Sequence, residues 1–154
     1  MGPAGPRSAS PDAGSGQPVL LLHGGAGPSS VAQFAELVAA TARVIVPVHP
    51  GFDGTPRPPQ LASVRALAGV YTRLVRDLNL TDVCVVGNSF GGWVAAEIAL
   101  AESATTDRRV GSVVLVDAGG LQLDAAPVPD VSGLTPEHIA QLSYFRPERY
   151  RIDP

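Results

Sequence analysis

The chain contains no lysine, a single cysteine, and no apolar run near the ~18 residues that a membrane-spanning helix requires. Each shortage excludes something. Without lysine there is no phosphate-loop signature, because that loop needs the side chain to reach the β- and γ-phosphates. A lone Cys84 cannot close an internal disulfide, and its place in the run "VCVV" reads as a small core residue. A net charge of −3 offers no basic footprint for nucleic acid. The opening stretch "MGPAGPRSASPDAGSGQ" lacks the apolar centre of a secretory signal. Its glycine, proline and serine content reads as a disordered tail over residues 1–17. The expectation is a cytoplasmic protein with neither nucleic acid nor membrane as partner.

What is present is an ordinary globular balance, 45% hydrophobic and 16% charged, over 154 residues. That length suffices for one domain with a sizeable core. After the tail, short apolar runs alternate with amphipathic segments. "PVLLLHGG" is a strand entering a glycine loop, and "SSVAQFAELVAA" opens a helix with Ser30 and Gln33 at capping-box spacing. "ARVIVPVHP" is a second strand, and the Gly- and Pro-rich "HPGFDGTPRPP" is a loop. Val64, Leu67, Ala68, Tyr71, Leu74, Val75 and Leu78 share one helical stripe. "TDVCVVG" and "GSVVLVDAGG" are the third and fourth strands. The helix between them is apolar nearly all round, as a centrally buried one would be. Strands of continuous Val, Leu and Ile alternating with helices imply an α/β fold, a parallel sheet with helices on both faces. The expected order of the four strands is second, first, third, fourth, with right-handed crossovers. Beyond Gly120 the chain turns irregular and then forms a short helix, with Thr135 as its cap and Pro136 as its first residue.

One junction concentrates the chemistry. In "VVGNSFGGWVAAEIAL" a serine stands between glycines where a strand becomes a helix, matching G-x-S-x-G at Gly87, Ser89 and Gly91. Such a turn is sharp and holds the serine oxygen in the open at the positive end of a helix. A serine hydroxyl needs a neighbouring base before it acts as a nucleophile. The other glycine loop, Gly24 to Gly27, fails G-x-G-x-x-G at its last position, and Val48 stands where a ribose-binding acid would be. Nucleotide binding is therefore not expected.

Taken in order, "LLLHGGAG", "HPGFDGTPRP", "VVGNSFGGWVAAEIAL" and "SVVLVDAGG" resemble the α/β-hydrolase family, serine-nucleophile branch. The resemblance covers roughly residues 18–130. It implies a serine nucleophile, Ser89, acting on an ester-like or other acyl substrate, with a carbon–carbon bond hydrolase as an alternative. A non-catalytic binding module or decayed member is a third possibility. The implied oxyanion donors are the backbone amides of Phe90 and Gly25, or Ala26 in place of Gly25. His23 belongs to the loop-shaping His-Gly pair, and His49 precedes the serine in the chain. His138 lies where a lid helix begins and reads as a surface residue. Asp117, ending the fourth strand, is a candidate acid because some members place theirs there. The family's histidine comes late, so the resemblance implies the first part of a hydrolase domain. That divides the chain into a core over residues 18–120 and the start of a lid over 121–154. No cofactor or metal is implied, the partner is a small-molecule substrate, and exposed sheet edges would favour self-association.

Overall fold

A five-residue strand decides how the layers form. In β2 (Pro18–Leu22) successive side chains point to opposite faces of the sheet, as in any strand. Val19 and Leu21 join Val31, Ala35, Val44, Val46 and Val86 in one apolar cluster. Leu20 and Leu22 join Ile45, Val83 and Val85 in a second cluster, completed by residues of two helices. Because both sets are apolar, the strand is covered on both sides. Burying each such aliphatic side chain contributes about 1.5–3 kcal/mol.

The computed structural model describes residues 12–120, 124, 127, 130–131 and 133–149. Besides β2 it contains β1 (Asp12–Ala13), α1 (Ala32–Ala39), β3 (Arg43–Ile45) and α2 (Val64–Asp77). Then follow β4 (Val83–Asn88), α3 (Phe90–Ser103), β5 (Val110–Val116) and α4 (Pro136–Ser143). The sheet order is β1-β3-β2-β4-β5. The pairings β3–β2, β2–β4 and β4–β5 are all parallel, so the four expected strands stand in the expected order. Helix α1 supplies one cluster, and α2 and α3 supply the other.

Four local expectations are corrected. Asp12 and Ala13, inside the stretch read as a tail, pair antiparallel with β3 and cover that edge. Their hold is a two-pronged ion pair, Arg43 Nε to Asp12 Oδ1 at 3.0 Å and Nη2 to Oδ2 at 2.7 Å. The guanidinium beside Asp12 keeps its carboxyl below the usual carboxylate range. Secondly, Ser30 caps nothing. It sits in a 3-10 turn, Pro28–Val31, and its hydroxyl donates back to the Gly27 carbonyl at 2.6 Å, so α1 begins after it without a side-chain cap. Thirdly, α3 is buried on one face only. Val94, Ala95 and Ile98 are inaccessible, whereas Leu100 is 62% exposed. Finally, Cys84 is half-buried against the α1-side cluster rather than sealed in the core.

Helix α2 follows its pattern closely. Ser63 caps it by accepting from the Ala66 amide at 3.1 Å, and Leu67, Ala68, Tyr71 and Val75 are its buried face. A buried carboxylate ties the far end of α3 to β5. Glu102 accepts from the Arg109 amide at 2.6 Å, the Val110 amide at 3.3 Å and the Arg76 guanidinium at 3.0 Å. The described residues beyond position 121 form a second compact unit, in which Thr135 caps α4 by accepting from the His138 amide at 3.4 Å. Among the described residues no helix is long and apolar enough to cross a membrane.

Candidate active site

Parallel register carries the site together. Leu22 pairs with Gly87 at the ends of β2 and β4, so two residues further along the same offset sets Gly24 beside Ser89. On the other side Asn88 pairs with Val116, and one step further sets Asp117 beside Ser89. The backbone bears this out. The Ser89 amide donates to the Val116 carbonyl at 2.9 Å, and the Ser89 carbonyl accepts from the Gly119 amide at 3.2 Å. A Cβ added to Gly24 would stand 3.0 Å from Ser89 Cβ and 3.3 Å from Asn88 Nδ2. The glycine loop therefore lies against the serine.

Ser89 itself is exposed, with φ 53° and ψ −114°. A non-glycine residue in this region is strained, by order 1–3 kcal/mol, and persists only where its surroundings over-determine it. Two close approaches do so here. A Cβ on Gly87 would overlap the Gly91 carbonyl, and one on Gly91 would overlap the Leu22 carbonyl. The turn can be this tight only with glycine at both places. Phe90 follows as the first residue of α3, half-buried. An amide in the first turn of a helix has no intrahelical acceptor, so it is free to meet a ligand atom at the positive helix end. Gly25 is exposed in the loop, with nothing within 4 Å of a would-be Cβ. Ala26 beside it is exposed as well. Asp117 is exposed and also takes a positive φ, 48°.

The histidines behave differently from one another. His138 is exposed in the second unit. His23 and His49 are wholly buried, with ring centroids 4.0 Å apart. His49 Nε2 lies 2.9 Å from the His23 carbonyl, which is only an acceptor, so Nε2 carries the proton. His49 Nδ1 then accepts from the Tyr71 hydroxyl. The His49 backbone amide donates to His23 Nε2 at 3.1 Å, which leaves His23 Nδ1 as the protonated nitrogen, donating to the Gly24 carbonyl at 2.8 Å. Both rings are thus neutral with all four nitrogens engaged. Burial pushes the His23 pKa down, although its bond to Gly24 and the nearby Asp53 charge oppose the shift. Burial and the His23 ring together push His49 down to about 4. Burial also raises the Tyr71 hydroxyl well above its ordinary value, so it stays protonated as a donor.

Tyr71 was legible in the sequence only as part of an apolar stripe. The one available signal was general: a buried tyrosine hydroxyl finds a partner. Among the described residues no group of three or more His, Cys, Asp or Glu is placed to hold a metal ion.

The chain has relatives. The chain is 36% identical over 121 residues to a 2-hydroxy-6-oxo-6-phenylhexa-2,4-dienoate hydrolase of Burkholderia cepacia, covering 71% of this chain and 39% of that protein. It is similar to a meta-cleavage product hydrolase from Pseudomonas fluorescens (TM-score 0.60, 34% identity), covering 73% of this chain and 42% of the other. An esterase from Exiguobacterium antarcticum shares the fold (TM-score 0.64, 24% identity), over 85% of this chain and 48% of that one. The chain therefore spans less than half the length of these proteins. The model of the alpha/beta hydrolase family matches residues 19–154, and the chain belongs to that family.

Proposed function

We propose that the chain carries the nucleophile and oxyanion-binding half of a serine hydrolase acting on an ester-like or other acyl small molecule. The observation that supports this most is Ser89, exposed on a strained turn with the Gly24 loop packed against it. Its hydroxyl oxygen would attack the acyl carbon and pass its proton to a base. The carbonyl oxygen would gather negative charge facing the amides of Phe90 and Gly25. Each such preorganised donor lowers the barrier by about 3–4 kcal/mol. The leaving group would depart as the carbonyl re-forms, and water would then release the acyl group from Ser89. Asp117, set beside Ser89 by the β4–β5 register, is the candidate acid to orient a base. No cofactor enters the scheme, and the reading includes a cytoplasmic location and self-association through the exposed edge of β5.

Neither buried histidine serves as that base, since every ring nitrogen is occupied. A serine hydrolase deprived of its base loses about 10⁶-fold in turnover. The 154-residue chain is accordingly expected to react slowly with a fluorophosphonate, with Ser89 as the residue modified. Mass spectrometry of the labelled chain tests this. An adduct on Ser89, absent from Ser89→Ala, supports the assignment, and labelling that Ser89→Ala leaves unchanged defeats it. Loss of labelling in His138→Ala would instead identify His138 as a base within the chain.

A second reading, hydrolysis of a carbon–carbon bond, is favoured by the names of two relatives above 30% identity. Turnover of a vinylogous diketone in preference to a nitrophenyl ester would select it.

A further inference from the structure

Three residues far apart in the chain meet behind the glycine loop, and the acyl-transfer scheme uses none of them. Tyr71 comes from the buried face of α2, His49 from the loop after β3, and His23 from the end of β2. They are joined by two runs of hydrogen bonds, one ending on the His23 carbonyl and one starting from the His49 backbone amide. The Tyr71 hydroxyl donates to His49 Nδ1, and His49 Nε2–H donates to the His23 carbonyl. The His49 amide donates to His23 Nε2, and His23 Nδ1–H donates to the Gly24 carbonyl. That last carbonyl also accepts from the Gly27 amide at 3.1 Å. The peptide group that leads into Gly25 is thus gripped at its oxygen from two sides. His49 also packs edge-on against Phe90, with ring centroids 5.6 Å apart, and against Phe52 at 5.8 Å. One imidazole therefore packs on Phe90 directly and reaches the Gly24 carbonyl through His23.

We propose that His49, oriented by Tyr71, is a positioning residue that fixes the direction of the Gly24–Gly25 peptide and the seat of Phe90, and so aims the two oxyanion-binding amides. This rests on the serine-hydrolase reading for its purpose, but not for its geometry. The reason lies in the loop's composition. A glycine-rich turn has no side chains of its own to hold its peptide planes, and the freedom that lets its amides approach a substrate also lets them turn away. A buried network with every donor and acceptor matched supplies the missing rigidity, because breaking any link leaves a polar group unpaired in an apolar surround. The groups facing His49 are few. They are the His23 ring, the Tyr71 hydroxyl and the Phe52 and Phe90 rings, and Asp53 acts on His23 from the same loop.

The test uses the 154-residue chain with nitrogen-15 histidine and backbone labels. At pH 7 the ring nitrogen shifts are expected to report neutral His23 protonated on Nδ1 and neutral His49 protonated on Nε2. Any other tautomer of His49 overturns the proposal. Tyr71→Phe is expected to speed hydrogen exchange of the Gly27 amide at least tenfold beyond any change at Leu21 and Val85 in the central strands. Equal acceleration at all three overturns it, since that is what loss of packing alone would give. Should Tyr71→Phe fail to fold, His49→Gln and His49→Leu decide. Glutamine keeps a donor toward the His23 carbonyl and is expected to hold Gly27 exchange within threefold of the parent, while leucine loses it tenfold or more. Indistinguishable behaviour of the two defeats a positioning role. Fluorophosphonate labelling of Ser89 is expected to slow severalfold in Tyr71→Phe. If Ser89→Ala leaves labelling intact, the hydrolase reading falls while the tautomer and exchange results still judge the network.

Discussion

β4 and β5 are neighbours of similar composition with opposite surroundings. In β4 the side chains of Val83 and Val85 are inaccessible, and Val86 is nearly so. In β5, which pairs in parallel with β4 across one register shift, Val114, Leu115 and Val116 are each 45% exposed. Both strands are runs of valine, so hydrophobicity does not distinguish them. The difference is in partners. β4 has a strand on each side and helices on both faces, whereas among the described residues β5 has one strand neighbour and rests only Val110 and Val113 against the α2–α3 cluster. An apolar strand is thus buried by what the rest of the fold stacks on it. The Ser89 turn grows from the end of the buried strand, where the surroundings are stiff enough to hold Ser89 in its strained conformation.

The largest effect should come from putting a charge on each strand. Val85→Asp sets a carboxylate in the centre of the sheet and is expected to cost 4 kcal/mol or more, on the order of the whole stability of a small domain. Val114→Asp, on the open strand, should stay within about 1 kcal/mol of the parent. Denaturant melts of the two proteins check the pair. Comparable destabilisation would mean that β5 is buried in solution.

A methyl group offers a finer probe at the two strand ends. Gly91→Ala drives a Cβ into the Leu22 carbonyl, which no side-chain rotation relieves, and about 3 kcal/mol of destabilisation is expected. Gly119→Ala, after β5, meets nothing within 4 Å and should change stability by less than about 0.5 kcal/mol. Thermal melts of both variants measure the difference.

Acid should act on the buried side of the molecule through its histidines. The unfolded chain takes up a proton on residue 49 near the ordinary imidazole value, whereas folded His49 resists until about 4. Between those values the unfolded state binds more protons, so stability falls as pH drops from about 6.5 toward 4 and is unaffected by that group above 7. His23 is shifted in the same direction and deepens the effect. The slope cannot exceed about 1.4 kcal/mol per pH unit for each ring. His49→Gln should flatten the profile, and an unchanged profile would remove His49 from its cause.

Only a small change in folding stability is expected where association changes most. Val114→Lys with Val116→Lys places charges on the open strand, and should reduce self-association in sedimentation while leaving the melt within about 1 kcal/mol. A parent chain that sediments as a monomer would show that this edge does not recruit other copies.

Much of the architecture is legible in the sequence, because the signals are local. Continuous apolar runs, a 3.6-residue stripe through Tyr71, Thr135 as a cap and glycines around Ser89 each act within a few residues of themselves. The parallel order of four strands followed from their alternation with helices and the handedness of crossovers. The G-x-S-x-G pattern singled out Ser89, and the family resemblance singled out the loop that packs against it. What the tertiary structure alone decided concerns partners distant in sequence. The pairing of Asp12 and Ala13 with β3 depends on an arginine thirty-one positions away, and nothing in a Gly/Pro/Ser-rich stretch announces it. The exposure of β5 and of Leu100 depends on which faces other elements cover, and a valine or leucine looks the same in sequence whether covered or not. The tautomers of His23 and His49 were beyond the sequence for the same reason. A histidine's proton goes to whichever nitrogen faces an acceptor, and the acceptors were chosen only when residues 23, 49 and 71 folded together.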